Sequence, residues 1–130
     1  MLVETLALWR KTKFVWGETD CLLSVADYIV ANGGADGGKA YRGKYHDQKS
    51  ANKIVESAGG FEELIDATGI ARTETPKEGD VCTCILLNRP VAGLHTLDSV
   101  AFRQENKGVV EISKRFIKVV QSWSIESCHQ

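Results

Sequence analysis

The apolar residues change their spacing part-way along the chain, and that change does most to limit the fold. Up to about residue 70 they recur at helical intervals; from about residue 79 they alternate as strands do. No Ser/Gly/Pro-rich linker separates the halves and no internal repeat is visible. The expectation is therefore one α+β domain over residues 1–130. Its helical half would be 1–70 and its sheet half 79–125, with N-terminal helices packed on a C-terminal antiparallel sheet of about four strands.

Helices are expected at Val3–Lys11, Cys21–Asn32, Asp47–Ala58 and Phe61–Thr68. The second is the best marked. Thr19 and Asp20 are good N-caps, and Leu22, Val25, Ala26, Ile29 and Val30 form one apolar face. Gly33-Gly34 then offers a left-handed stop. A glycine-rich, tyrosine-bearing loop, Gly33 to Tyr45, follows. In the second half, strands are expected at Val81–Leu87, Val91–Arg103, Val109–Ile112 and Ile117–Ile125. Turns would fall at Asn88-Arg89-Pro90 and at Gln104 to Gly108, and a bend near Gly93.

Composition removes several function classes. At 43% hydrophobic and 25% charged residues the chain is an ordinary globular sequence, and a net charge of −1 creates no bulk field toward nucleic acid or anionic lipid. Apolar runs such as Ile85-Leu86-Leu87 fall far short of a membrane span. Met1-Leu2-Val3 runs straight into Glu4, with no basic start or apolar stretch of a signal peptide. The expected location is the cytosol, with Cys21, Cys82, Cys84 and Cys128 as reduced thiols.

Cys21 is the position that asks for chemistry. It opens a capped helix, where unpaired N–H groups and the helix dipole favour a thiolate and could hold an oxyanion. The plainer alternative is a small buried residue at a helix start. A nucleophilic cysteine needs a base, and only His46, His95 and His129 are available. His129 stands at the C-terminus and His46 beside the third helix, so His95, within a strand, is the best partner; it could equally be a strand histidine without one. Cys82 and Cys84 point to one face of a strand, which suits two core thiols better than zinc; no metal or cofactor is expected. Gly33 to Gly38 follows a helix rather than a strand, so phosphate binding is weakly supported. Arg42 and Lys44, flanking Gly43 between Tyr41 and Tyr45, could contact a ligand or simply pin their loop.

The ordered run Phe14-Val15-Trp16-Gly17, Asp20-Cys21, Tyr41-Arg42-Gly43-Lys44-Tyr45, Ala51, Gly59-Gly60, Gly79-Asp80-Val81, Gly93-Leu94, Gly108-Val109-Val110 and Trp123 resembles a family of small phage and prophage proteins, often encoded among tail genes. That family is similar in turn to the NlpC-type, papain-like cysteine peptidases that cut peptide links in bacterial cell walls. The resemblance implies a papain-like fold, Cys21 as nucleophile and His95 as base, with Trp16, Asp20, Tyr41, Arg42 and Tyr45 around the substrate. In those peptidases the base histidine stands two residues before the glycine of its strand, and here that place is Val91. His95 lies roughly 13 Å further along, unless a bulge near Gly93 shifts the register. Two functions follow from the resemblance. One is a peptidoglycan hydrolase acting on stem peptides. The other is an inactive structural or assembly protein among phage tail proteins. Neither involves nucleic acid or membrane, and either would reside in the host cytoplasm or be incorporated into a virion tail.

Overall fold

The computed structural model describes residues 1–129. Four helices come first: α1 (Leu2–Lys11), α2 (Cys21–Ala31), α3 (Gln48–Ser57) and α4 (Phe61–Asp66). Six strands follow: β1 (Ala71–Arg72), β2 (Val81–Leu86), β3 (Arg89–His95), β4 (Ser99–Gln104), β5 (Gly108–Ser113) and β6 (Lys118–Ser124), then a 3₁₀ turn at Ile125–His129. All strand pairs are antiparallel, in the order β1-β6-β2-β3-β4-β5. Among the described residues no helix is long and apolar enough to cross a membrane.

The expectation of an α+β domain built on about four strands is corrected: the molecule is strand-dominated, with six. The expected strand Val91–Arg103 is two strands, because Thr96 and Ser99 fold the chain back through a side-chain and a backbone bond. Ser99 N–H donates to Thr96 Oγ1 at 3.0 Å, and Thr96 N–H donates to the Ser99 carbonyl at 3.0 Å. The sixth strand is the two-residue β1, which pairs with Ser124 and Trp123 at the edge of β6. The first turn also moves. Leu86 pairs with Arg89, so the loop is Leu87-Asn88, both left-handed at φ 51° and 64°, as a type I′ hairpin requires. Pro90 can then enter β3, because β4 pairs with β3 only at Leu94 and His95 and leaves the Pro90 side an open edge.

Each face of the sheet serves a separate core. Val81, Ala92, Leu94, Ala101 and Trp123 pack under Leu6 and Trp9 of α1 and Val25, Tyr28 and Ile29 of α2. Burying each such aliphatic side chain stabilises by roughly 1.5–3 kcal/mol. On the far face no helix of the described residues joins the core, and the strands bury Cys82, Cys84, Val100, Phe102 and Ile117 among themselves. Gly93 makes this packing possible: a Cβ there would lie 2.6 Å from the Ala101 carbonyl oxygen and 3.0 Å from Val100 Cγ1. Gly79-Asp80 joins the two layers. Tyr28 Oη donates to the Gly79 carbonyl at 2.7 Å, and Asp80 accepts from the N–H groups of Lys77 and Ile125.

Gly93→Ala should therefore force β3 and β4 apart. A loss of about 1–3 kcal/mol is expected from urea unfolding monitored by tryptophan fluorescence. A variant within a few tenths of a kcal/mol of the parent would mean that the strands are not so tightly apposed.

Candidate functional site

The head of α2 is organised by one buried carboxylate. Asp20, 2% exposed, has the extended backbone of an N-cap, and its Oδ1 accepts the Leu23 N–H at 3.0 Å. Its Oδ2 accepts the Gly17 N–H at 2.9 Å and the Tyr45 hydroxyl at 2.6 Å. Gly17 adopts φ +82°, and a Cβ there would run into the Tyr45 carbonyl oxygen, so only glycine lets the two loops meet. The Gly43 N–H closes the same junction on the Gly17 carbonyl at 2.8 Å.

Cys21 follows as the first residue of α2, half-buried against β3. A cleft of about 290 Å³ opens beside it; its walls include Trp16, Cys21, Tyr45, Leu87, Arg89 and Arg103. The surroundings of Cys21 work against the expected thiolate. Burial pushes the Cys21 thiol up to about 11, and the Asp20 carboxylate adds to the rise; the facing N–H groups of Ala92, Leu22 and Cys21 itself oppose it without prevailing.

The expected pairing of Cys21 with His95 is also corrected. The β2–β3 register runs unbroken from Cys84↔Val91 through Cys82↔Gly93 to Val81↔Leu94, so no bulge at Gly93 re-aims the strand. Ala92 and Leu94 face the helices, and Val91, Gly93 and His95 alternate to the other side. His95 is 2% exposed there, with Nε2 2.8 Å from Ser122 Oγ and Nδ1 without a partner among the described residues. Burial, seconded by the Lys114 charge and opposed by Asp80, lowers its pKa to about 4. The other imidazoles do not substitute. His46 is turned to solvent, 3.8 Å from Asp47. His129 meets Asn32 Oδ1 at 3.0 Å, at the opposite end of α2 and roughly 16 Å from Cys21. No histidine is among the cleft's wall residues.

Of the residues expected around a substrate, Trp16, Asp20 and Tyr45 do line the cleft, with Trp16 Nε1 donating to Glu105 at 2.9 Å. Asp20 is committed to its three donors. Tyr41 and Arg42 lie elsewhere. Arg42 bridges Asp27 and Asp36 at 2.7 and 2.9 Å, holding the glycine-rich loop to α2, and Tyr41 packs beside Leu23 and Ala51. Cys82 and Cys84 lie side by side on the far face, sulfurs 3.7 Å apart; their mutual hydrogen bond and burial raise the Cys82 thiol. Among the described residues no three His, Cys, Asp or Glu side chains converge on a point that could hold a metal.

Sequence reasoning missed Leu87, Arg89 and Arg103. The available signal was Arg103 itself, an arginine two residues from Ala101 on the helix-facing side of a strand.

The family model for a domain of unknown function, DUF6950, matches residues 1–125. The chain belongs to that family. No curated protein and no solved structure matches it significantly. In this DUF6950 domain the matched span takes in all four helices and all six strands.

Two measurements check the electrostatics. Iodoacetamide should alkylate Cys21 more slowly than a free thiol at pH 7.5, with a rate that climbs only as the pH approaches about 11. Fast labelling near pH 6.5, read by peptide mapping, would mean an activated thiolate after all. His95 acts at the other end of the scale. Its folded pKa, about 4, lies below its ordinary 6.5, so the unfolded chain binds the proton first. The stability it confers is present above pH 6.5 and lost as pH falls toward 4, on the order of 2–3 kcal/mol. His95→Gln should flatten that part of the urea-stability profile; an unchanged slope would remove His95 from the acid response.

Proposed function

We propose that this DUF6950 protein is a non-hydrolytic docking domain of a phage or prophage tail, which takes a segment of a partner tail protein into the cleft at the head of α2. The observation that carries the reading is the lack of an imidazole in a cleft wall that contains the thiol. Burial holds the Cys21 thiol up, and Val91 stands where the resemblance implies the base histidine. Losing a general base costs on the order of 10²–10⁴ in rate. Burial of the nucleophile compounds the loss. The phage-tail setting rests on the resemblance of Phe14 to Gly17, Asp20-Cys21 and Tyr41 to Tyr45 to tail-associated proteins.

The lip of the cleft favours docking. Leu87 is 87% exposed and stands at a left-handed position where Asn or Gly would be relaxed. A leucine held there against its backbone preference, with no core to bury it, is a contact surface in want of a partner.

Mass spectrometry of peptidoglycan fragments incubated with the protein should show no released peptide, and Cys21→Ser should change nothing. Leu87→Asn should raise stability by about 1 kcal/mol through relief of the turn. By titration calorimetry it should weaken association with a phage tail protein at least tenfold. Cleavage abolished by Cys21→Ser would replace docking with hydrolysis.

A further inference from the structure

The sheet has two edges, and they are finished differently. At one end β1 is two residues long, and its Arg72 is held by Asp66. At the other, β5 presents six residues, Gly108–Ser113, with no proline, no lysine and no break in its register. A long, regular edge is a template for a further strand, and proteins that keep an edge free blunt it with such devices.

The ladder fixes which backbone groups this edge offers. Thr96 N–H donates to the Ser99 carbonyl, so Leu94↔Ala101 is the next hydrogen-bonded pair between β3 and β4. Ala101 thus turns its N–H and C=O toward β3, while Val100 and Phe102 turn theirs toward Ile112 and Val110 of β5. Val109 and Glu111 alternate with those residues and point their N–H and C=O out of the sheet. Among the described residues neither backbone finds a partner there. The Ser113 carbonyl, which points the same way, already accepts from the Phe116 N–H.

The free groups complement themselves. Two copies of β5 meeting antiparallel about a two-fold at Val110 set Val109 opposite Glu111 on both sides of the axis. Each of those pairs can exchange two hydrogen bonds, and every group they use is free. On the far face Val110 then meets its own copy, a β-branched cross-strand pair that continues the apolar surface of that side. Moving the two-fold to Glu111 would set two carboxylates face to face and call on the Ser113 carbonyl.

The neighbouring helix suits the same axis. α1 packs on β5, and Arg10 Nη2 donates to Glu111 Oε2 at 3.0 Å, so the side of α1 that carries Arg10 overhangs the free edge. Val3 and Ala7 share that side at helical spacing, and Val3 is 77% exposed. The two-fold brings these stripes toward each other and sets two Arg10 cations among two Glu111 carboxylates. Strand pairing alone falls short of the roughly 1,200–2,000 Å² that a stable interface buries, and the α1 stripes enlarge it.

We propose that β5 is a self-association edge, through which two copies of this chain join their sheets into one about a two-fold at Val110. No residue of β5 is among the cleft's wall residues, so the proposal stands apart from the docking reading.

The test is sedimentation velocity of the full chain over a concentration series into the high micromolar range, where a monomer–dimer equilibrium is expected. Glu111→Pro removes an outward N–H that the monomer does not use and should leave monomer alone. Because proline also releases Arg10 and could unsettle β5, Val3→Asp is the second variant. It lies outside the sheet, and it should weaken the dimer at least tenfold with the urea midpoint unchanged. The register is read from Val110→Cys, whose Cα atoms would lie about 4.5 Å apart across the axis. With oxidised glutathione that variant should give a disulfide-linked dimer on a non-reducing gel, and the parent chain should not. A protein monomeric throughout the series would overturn the proposal and leave the edge to a strand of another protein. A folded Glu111→Pro chain that still dimerises would overturn it too, as would a Val3→Asp chain that dimerises at full strength. A dimer that Val110→Cys does not link would overturn the two-fold.

Discussion

The Asp20 carboxylate is the point on which the functional end of the molecule depends. Three donors from three places in the chain meet on it: the Gly17 amide, the Leu23 amide and the Tyr45 hydroxyl. A buried carboxylate is tolerable only when so satisfied, and removing a donor would leave it stranded. The cap, the loop before α2 and the tyrosine loop therefore form one unit. Cys21 inherits its position from that unit, and the nearby charge helps to keep its sulfur protonated. The aspartate that precedes the cysteine thus builds the site while working against thiolate chemistry in it.

Strand alternation decides the rest. Ala92 and His95 are three residues apart in β3, an odd number, so they serve different cores. The imidazole is held by Ser122 on the far side of the sheet, and the Gly93 approach to β4 locks the register that keeps it there. A sequence in which a cysteine and a histidine both sit in suggestive elements can still separate them by the thickness of a sheet.

Much of this was legible in the sequence, and the misses have identifiable causes. The start of α2 was readable because Asp20, the apolar face and Gly33 all point to one helix. The turn between β3 and β4 was not, because Thr96-Leu97-Asp98 contains neither Gly nor Pro and is made by hydroxyl bonds that replace turn residues. Pro90 drew the expected turn toward itself, yet its missing donor falls on an unpaired edge. β1 is two residues long and has no pattern to recognise. Among site residues, Trp16, Asp20 and Tyr45 came from local motifs. Arg103 depends on Thr12, 91 residues away, a distance at which composition and spacing carry no information.

The paired sulfurs of Cys82 and Cys84 lie sealed between strands, while Cys21 is partly open to solvent. No reagent can meet them until β2 parts from a neighbour. Their modification in native buffer therefore acts as an internal clock for breathing of the sheet, independent of whatever occupies the groove on the other side.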